Sequence, residues 1–284
     1  MQDYTTISAR QGRLPGSLIG TTQPDRSEEP TYKLACMEVW GGNRKTIQSV
    51  ELPGLSGWVY SKPFEASAGG GDLHYLSVCN HGILSRIALA DVSGHGMGVD
   101  SVALKLRGLI REYINTWDQS ALMRDINNVF REDEAEGSYA TASIFGFYLQ
   151  FSCLAFTNAG HLPPLWYHAS GRRWELLQEP SSPPGEIQGL PLGLIAGTGY
   201  RQSAVKIDPD DMLVLYTDGI TEAVNQSGDE LTAEGLLRLV ESCPVGSPVA
   251  TGKSLLSAVR EFQFGMPDND DQTMLVLHRT GIRA

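Results

Sequence analysis

Basic residues are scarce here: 22 Lys and Arg stand against 33 Asp and Glu, and no basic patch is evident along the sequence. Nucleic-acid binding is driven by cationic side chains that release counterions from phosphate, so a net charge of -11 argues against that class of partner. Cysteine is also sparse. Cys36, Cys79, Cys153 and Cys243 lie far apart, without the paired spacing of a zinc site or a disulfide frame. They are read as small buried hydrophobes in a reducing cytosol, with a thiol nucleophile as the alternative. No stretch approaches the ~18 apolar residues of a membrane span, and the N-terminus lacks the basic start and apolar run of a signal peptide. The expectation is a cytoplasmic protein with neither nucleic acid nor membrane as partner.

What is present is a set of acidic turns, three of them containing glycine and the fourth polar. GGGD ends at Asp72, ADVSGHG covers 90–96, YTDG ends at Gly219, and NDDQT covers 269–273. Each breaks a strand-like apolar run, so Asp72, Asp91, Asp218 and Asp270 could share one rim of a sheet. Each motif alone is an ordinary turn, since Asp-Gly is a favoured β-turn dipeptide. Together, four carboxylates without a cation would repel by ~4 kcal/mol per close pair at an effective dielectric of about 20. Oxygen ligands with room for water favour Mg²⁺ or Mn²⁺ over zinc.

The 284 residues could hold two average domains or one large one. Convergence of acids spread from 72 to 270 requires the chain to close on itself, so residues 31–280 are expected to form a single domain. Residues 1–30 carry too little apolar content to offset ordering entropy and are expected to be a flexible leader. Strands are predicted over Tyr32 to Trp40 and Gly57 to Ser61. A hairpin is expected from His74 to Ala90, turning at Asn80-His81-Gly82. Val102, Leu106, Leu109, Ile110, Tyr113 and Trp117 recur at helical spacing, and a second helix follows from Ser120. Long strands are expected over 139–149 and 151–157, ending in Asn158-Ala159-Gly160-His161. Leu162 to Tyr167 is expected to extend that sheet. The proline-rich stretch 180–199 reads as a loop with an apolar Leu190 to Leu194 centre suited to packing beside a cleft. Met212 to Tyr216 reads as a buried strand, followed by helices near 232–242 and 251–264 and a last strand, Thr273 to His278.

The ordered set GGGD, ADVSGHG, NAGHLPPL, GLPLGL, YTDGITEA and DDQT resembles the PPM superfamily of metal-dependent serine/threonine protein phosphatases, in particular its bacterial SpoIIE/RsbU group. The resemblance runs from about Gly57 to Arg279. It implies an α+β fold, a four-layer α-β-β-α sandwich of two antiparallel sheets flanked by helices, with two Mn²⁺ or Mg²⁺ ions at one edge. On that resemblance Asp91 bridges both ions with the Val92 carbonyl as a neighbouring ligand, Asp72 serves one metal, and Asp218 and Asp270 serve the other. His95 is the candidate general acid, with a loop-structuring hydrogen bond as its other role. Gly94, Gly219, Asp271 and His161 are taken as supporting residues. Asp271 is either an acceptor behind the ligands or a turn residue, and His161 holds the strand end beside the site. Many relatives place an aromatic-Asp pair after the first motif, whereas this chain has Leu73-His74-Tyr75, so an acid at position 75 is absent.

The implied activity is hydrolysis of phosphoserine or phosphothreonine on a regulatory protein. The implied substrate is an anti-anti-sigma (STAS-type) factor in partner-switching signalling, and a homodimer is allowed for. Regulation through the helix at 99–117, by repositioning Asp91, is expected by analogy with the group. Two other readings stand beside this one: a catalytically silent pseudophosphatase that shields the phosphoprotein, and a two-metal nuclease.

Overall fold

A computed structural model of the chain describes residues 31–34, 38–64, 68–94, 99–133, 138–178 and 189–281. The expected leader 1–30, Cys36 and His95 lie outside them. Among the described residues thirteen strands form two sheets. In chain order they begin with β1 (Thr31–Lys33), β2 (Val39–Gly42), β3 (Thr46–Leu52), β4 (Leu55–Lys62), β5 (Leu73–Cys79) and β6 (Leu84–Val92). There follow β7 (Ala140–Tyr148), β8 (Cys153–Ala159), β9 (Leu165–His168), β10 (Arg173–Leu176), β11 (Ser203–Lys206), β12 (Met212–Tyr216) and β13 (Gln272–Arg279). Helices α1 (Val99–Tyr113) and α2 (Gln119–Asp133) lie between β6 and β7. The single turn α3 (Asp218–Thr221), then α4 (Thr232–Ser242) and α5 (Pro248–Gln263), lie between β12 and β13.

One sheet runs β1-β3-β4-β13-β12-β9-β10 and the other β11-β8-β7-β6-β5-β2. All pairings are antiparallel except β1 with β3, which is parallel. Side chains alternate across each strand, which explains the layers. Ile87 and Leu89 of β6 meet Leu213 and Leu215 of β12 in the core between the sheets. Ala88, Ala90 and Val92 face α1 and α2, packing with Ala103, Leu106, Ile110, Ile126 and Phe130. Met212, Val214 and Tyr216 pack with Leu236, Val240, Leu255 and Val259 of α4 and α5. Because β12 is covered on both faces, its unbroken apolar run is what burial demands. The expected four-layer sandwich is the observed one.

Several boundaries differ from expectation for local reasons. Tyr32 to Trp40 is not one strand: β1 joins the first sheet and β2 the second. Helix α1 ends at Tyr113 rather than near Trp117. Asp118 Oδ1 accepts from Ser120 N at 2.9 Å and Ala121 N at 3.2 Å, which caps a new helix and ends the old one. Helix α5 starts at Pro248, where Ser247 Oγ accepts from Ala250 N at 3.2 Å and proline fits the first turn. Leu192, at the centre of the proline-rich loop, exchanges two backbone hydrogen bonds with Ala140, of 2.7 and 3.0 Å, and is buried in the layer under α2.

Candidate metal centre

The acidic turns leave strand ends of both sheets at a shared rim. Asp72 immediately precedes β5, and Leu73 pairs with Ala90, so Asp72 lies beside Asp91 near the end of β6. In the other sheet Asp218 opens α3 just after β12, and Asp270 and Asp271 lead into β13, which pairs with β12. Cross-links join the two sheets here. Thr217 Oγ1 donates to Asp72 Oδ2 at 2.7 Å and accepts from Thr273 N at 3.0 Å. Asp271 Oδ2 accepts from Gly71 N at 2.5 Å and Asp72 N at 3.4 Å, while its Oδ1 accepts from Phe64 N at 2.6 Å. Of the two readings for Asp271, these bonds match an acceptor behind the Asp72 loop.

The glycines allow this close approach. A Cβ on Gly219 would lie 1.9 Å from the Asp271 carbonyl oxygen. One on Gly71 would lie 2.8 Å from the Val92 carbonyl oxygen and 3.5 Å from Asp91 Oδ1. Gly94, just past Val92, holds a φ of 101° that side chains resist.

Electrostatics confirm that these acids feel one another. Burial first, then Asp91, raises the Asp72 carboxyl well above its ordinary range. Burial, with Asp218, Asp270, Asp271 and Glu222 nearby, pushes Asp91 up to about 8. Asp218 is raised by burial and by Asp270. Glu222, which sequence reasoning did not single out, is raised by burial and then by Asp218 and Asp270. Its signal was the YTDGITEA motif itself. Glu222 lies four residues after Asp218, one helical turn on, with its N–H bonded to the Asp218 carbonyl at 2.7 Å.

His161 is tied into the scaffold. Its Nδ1 lies 2.8 Å from Thr141 Oγ1, its N–H donates to Asn158 Oδ1 at 2.7 Å, and its carbonyl accepts from Asn158 Nδ2 at 2.8 Å. Thr141 is the cross-strand partner of Asp91, so His161 stands one residue from the rim. Burial lowers its pKa to about 4, so it is neutral at pH 7. That suits a scaffold role better than proton donation.

The donor set fits a hard cation. Every candidate ligand atom is an oxygen, and Asp72 Oδ1 is buried without a hydrogen-bond partner. An orphaned buried acceptor costs about 1–3 kcal/mol, and a bound cation would satisfy it. Among the described residues no three acidic, imidazole or thiol groups are arranged to hold an ion as they stand.

Known proteins resemble this chain in sequence and fold. The chain is 26% identical over 214 residues to phosphoserine phosphatase RsbP of Bacillus subtilis, covering 73% of this chain and 48% of RsbP. It is 25% identical over 198 residues to phosphoserine phosphatase RsbU of the same organism, covering 68% of this chain and 55% of RsbU. The chain thus spans about half the length of the curated relatives it matches. The crystal structure of the RsbU and RsbW domains of Rv1364c from Mycobacterium tuberculosis has the same fold. It superposes with a TM-score of 0.67 at 23% identity, over 84% of this chain and 63% of that one. The family described as Stage II sporulation protein E (SpoIIE) matches residues 84–280, well over half of the sequence, and the chain belongs to it.

Proposed function

We propose that this chain is a metal-dependent protein phosphatase acting on phosphoserine or phosphothreonine. The observation that carries the reading is the convergence of Asp72, Asp91, Asp218 and Asp270 at one rim, with Asp72 Oδ1 buried and unpartnered. Membership of the SpoIIE family and the likeness to RsbP and RsbU support it.

In this reading Asp72, Asp91, the Val92 carbonyl, Asp218 and Asp270 would hold two Mn²⁺ or Mg²⁺ ions, with Asp91 shared, the Val92 carbonyl beside it, Asp72 at one ion and Asp218 and Asp270 at the other. When bound, two such ions lower the pKa of water and neutralise charge on phosphoryl oxygens during in-line attack. The chain's own part is to hold ligands in place. Thr217 orients Asp72, Asp271 fixes the loop that carries it, and His161 braces the strand opposite Asp91 through Thr141. Glu222 adds a fifth carboxylate at the Asp218 side. His95 completes the set as loop support or proton donor. The substrate we propose is a phosphorylated STAS-type regulator met in the cytoplasm. No helix among the described residues is long and apolar enough to cross a membrane.

The test is manganese-dependent release of phosphate from a phosphoserine STAS protein, compared between wild type and Asp91→Asn. The expected result is turnover in wild type and none above background in the variant. A wild type that binds the phosphoprotein without releasing phosphate would overturn the enzymatic reading.

A further inference from the structure

No basic patch is visible along the sequence, yet the fold builds one. At the edge of the six-stranded sheet an open cavity of about 680 Å³ gathers Arg44 and Lys45 from the turn between β2 and β3 with Arg107 from α1. His74 of β5 and Trp40 of β2 also line it, and among the described residues no Asp or Glu does. Among the described residues none of the three cations forms an ion pair. In a chain of net charge -11, three unpaired cations facing one cavity invert the logic of the acidic rim. Like charges held together favour a counter-charge from outside.

The cavity's size and contents limit the ligand. Its volume falls in the ~300–1,000 Å³ range of small-molecule sites. Guanidinium forks match phosphate oxygens in pairs. Trp40 already packs with Tyr32, stacked at 6.1 Å, and with the tilted His74 ring at 5.4 Å, so the cavity offers charge more than an open platform for a flat base. His74, in the lining, is itself buried, and its Nδ1 has no hydrogen-bond partner. We infer that this cavity binds a small phosphate-bearing anion, gripped by Arg44 and Arg107 with Lys45 at the mouth. Asn43, also in the lining, donates to the Gly70 carbonyl at 3.0 Å, so the cavity adjoins the loop that carries Asp72.

The inference does not depend on the metal reading, and its test keeps the two apart. Pyrophosphate is titrated calorimetrically into the full chain with a chelator present and at low salt. Saturable binding is expected, weakened roughly tenfold by Arg44→Gln and again by Arg107→Gln. It should also weaken with added salt and persist in Asp91→Asn. Arg44 is exposed, so its loss leaves the core intact, and Arg107→Lys should retain part of the affinity. No binding at millimolar pyrophosphate, equal binding by wild type and Arg44→Gln, or loss of binding in Asp91→Asn would each overturn the inference. So would binding of a phosphoserine peptide where pyrophosphate does not bind.

Discussion

Strand β12 has a buried aspartate just before it and an acidic cluster just after it, and the two ends are built on different principles. Asp211 is 3% exposed, and so is Asp72 at the rim. Asp211 accepts from Ala169 N at 2.9 Å, Asp208 N at 3.1 Å and Trp166 Nε1 at 3.4 Å, so both oxygens are satisfied. Asp72 keeps one oxygen on Thr217 and leaves the other without a partner, with Asp91 as its main charged neighbour. Equal burial therefore marks a structural acid at one end and a proposed cation ligand at the other. What separates them is whether the fold itself supplies the donors.

The sharpest test of that contrast is one substitution made twice. Asp72→Asn should reduce phosphate release to background while leaving the metal-free protein at least as stable, because a repelled buried charge becomes a neutral amide. Asp211→Asn should leave turnover per folded molecule unchanged and cost roughly 1–3 kcal/mol in urea unfolding, since an amide NH₂ would face backbone donors. Equal destabilisation by the two changes would dissolve the comparison.

His161 offers a probe by pH. Its folded pKa of about 4 lies below the ordinary 6.5, so between those values the unfolded chain binds a proton that the folded chain excludes. The contribution of neutral His161 is thus full above pH 6.5 and is lost as pH falls toward 4, by up to roughly 3 kcal/mol. Stability of wild type measured across that window should fall more steeply than that of His161→Gln. Parallel curves would mean that His161 is not buried as described.

A smaller effect is expected from Thr217→Val. It removes the donor to Asp72 and the acceptor for Thr273 N, so about 1–2 kcal/mol of stability should go with it. Turnover should fall through Asp72 misplacement, and Thr217→Ser should restore much of both.

Much of the rim was legible because each acidic ligand candidate is an aspartate at the junction of an apolar strand and a glycine or polar turn, a local pattern that survives without knowledge of the partner strands. Glu222 escaped because it is marked only by its helical spacing from Asp218. Edge strands β10 and β11 were missed for a related reason: Ser203–Lys206 alternates half-buried and exposed residues and looks like loop until β8 pairs with it. The end of α1 was misread because Trp117 continues the apolar spacing, while the cap at Asp118 decides the matter. Arg44 and Arg107 lie too far apart in sequence for any local pattern to join them. Composition hid their cavity rather than excluding it.

The central claim is that the acids at the rim share cations. Manganese binding to the full chain, followed by the loss of the free-ion paramagnetic resonance signal, tests it most directly. The account predicts two ions per wild-type chain and a clear loss of binding in Asp91→Asn. A wild type that takes up no manganese, or an Asp91→Asn variant that binds it as wild type does, would contradict it.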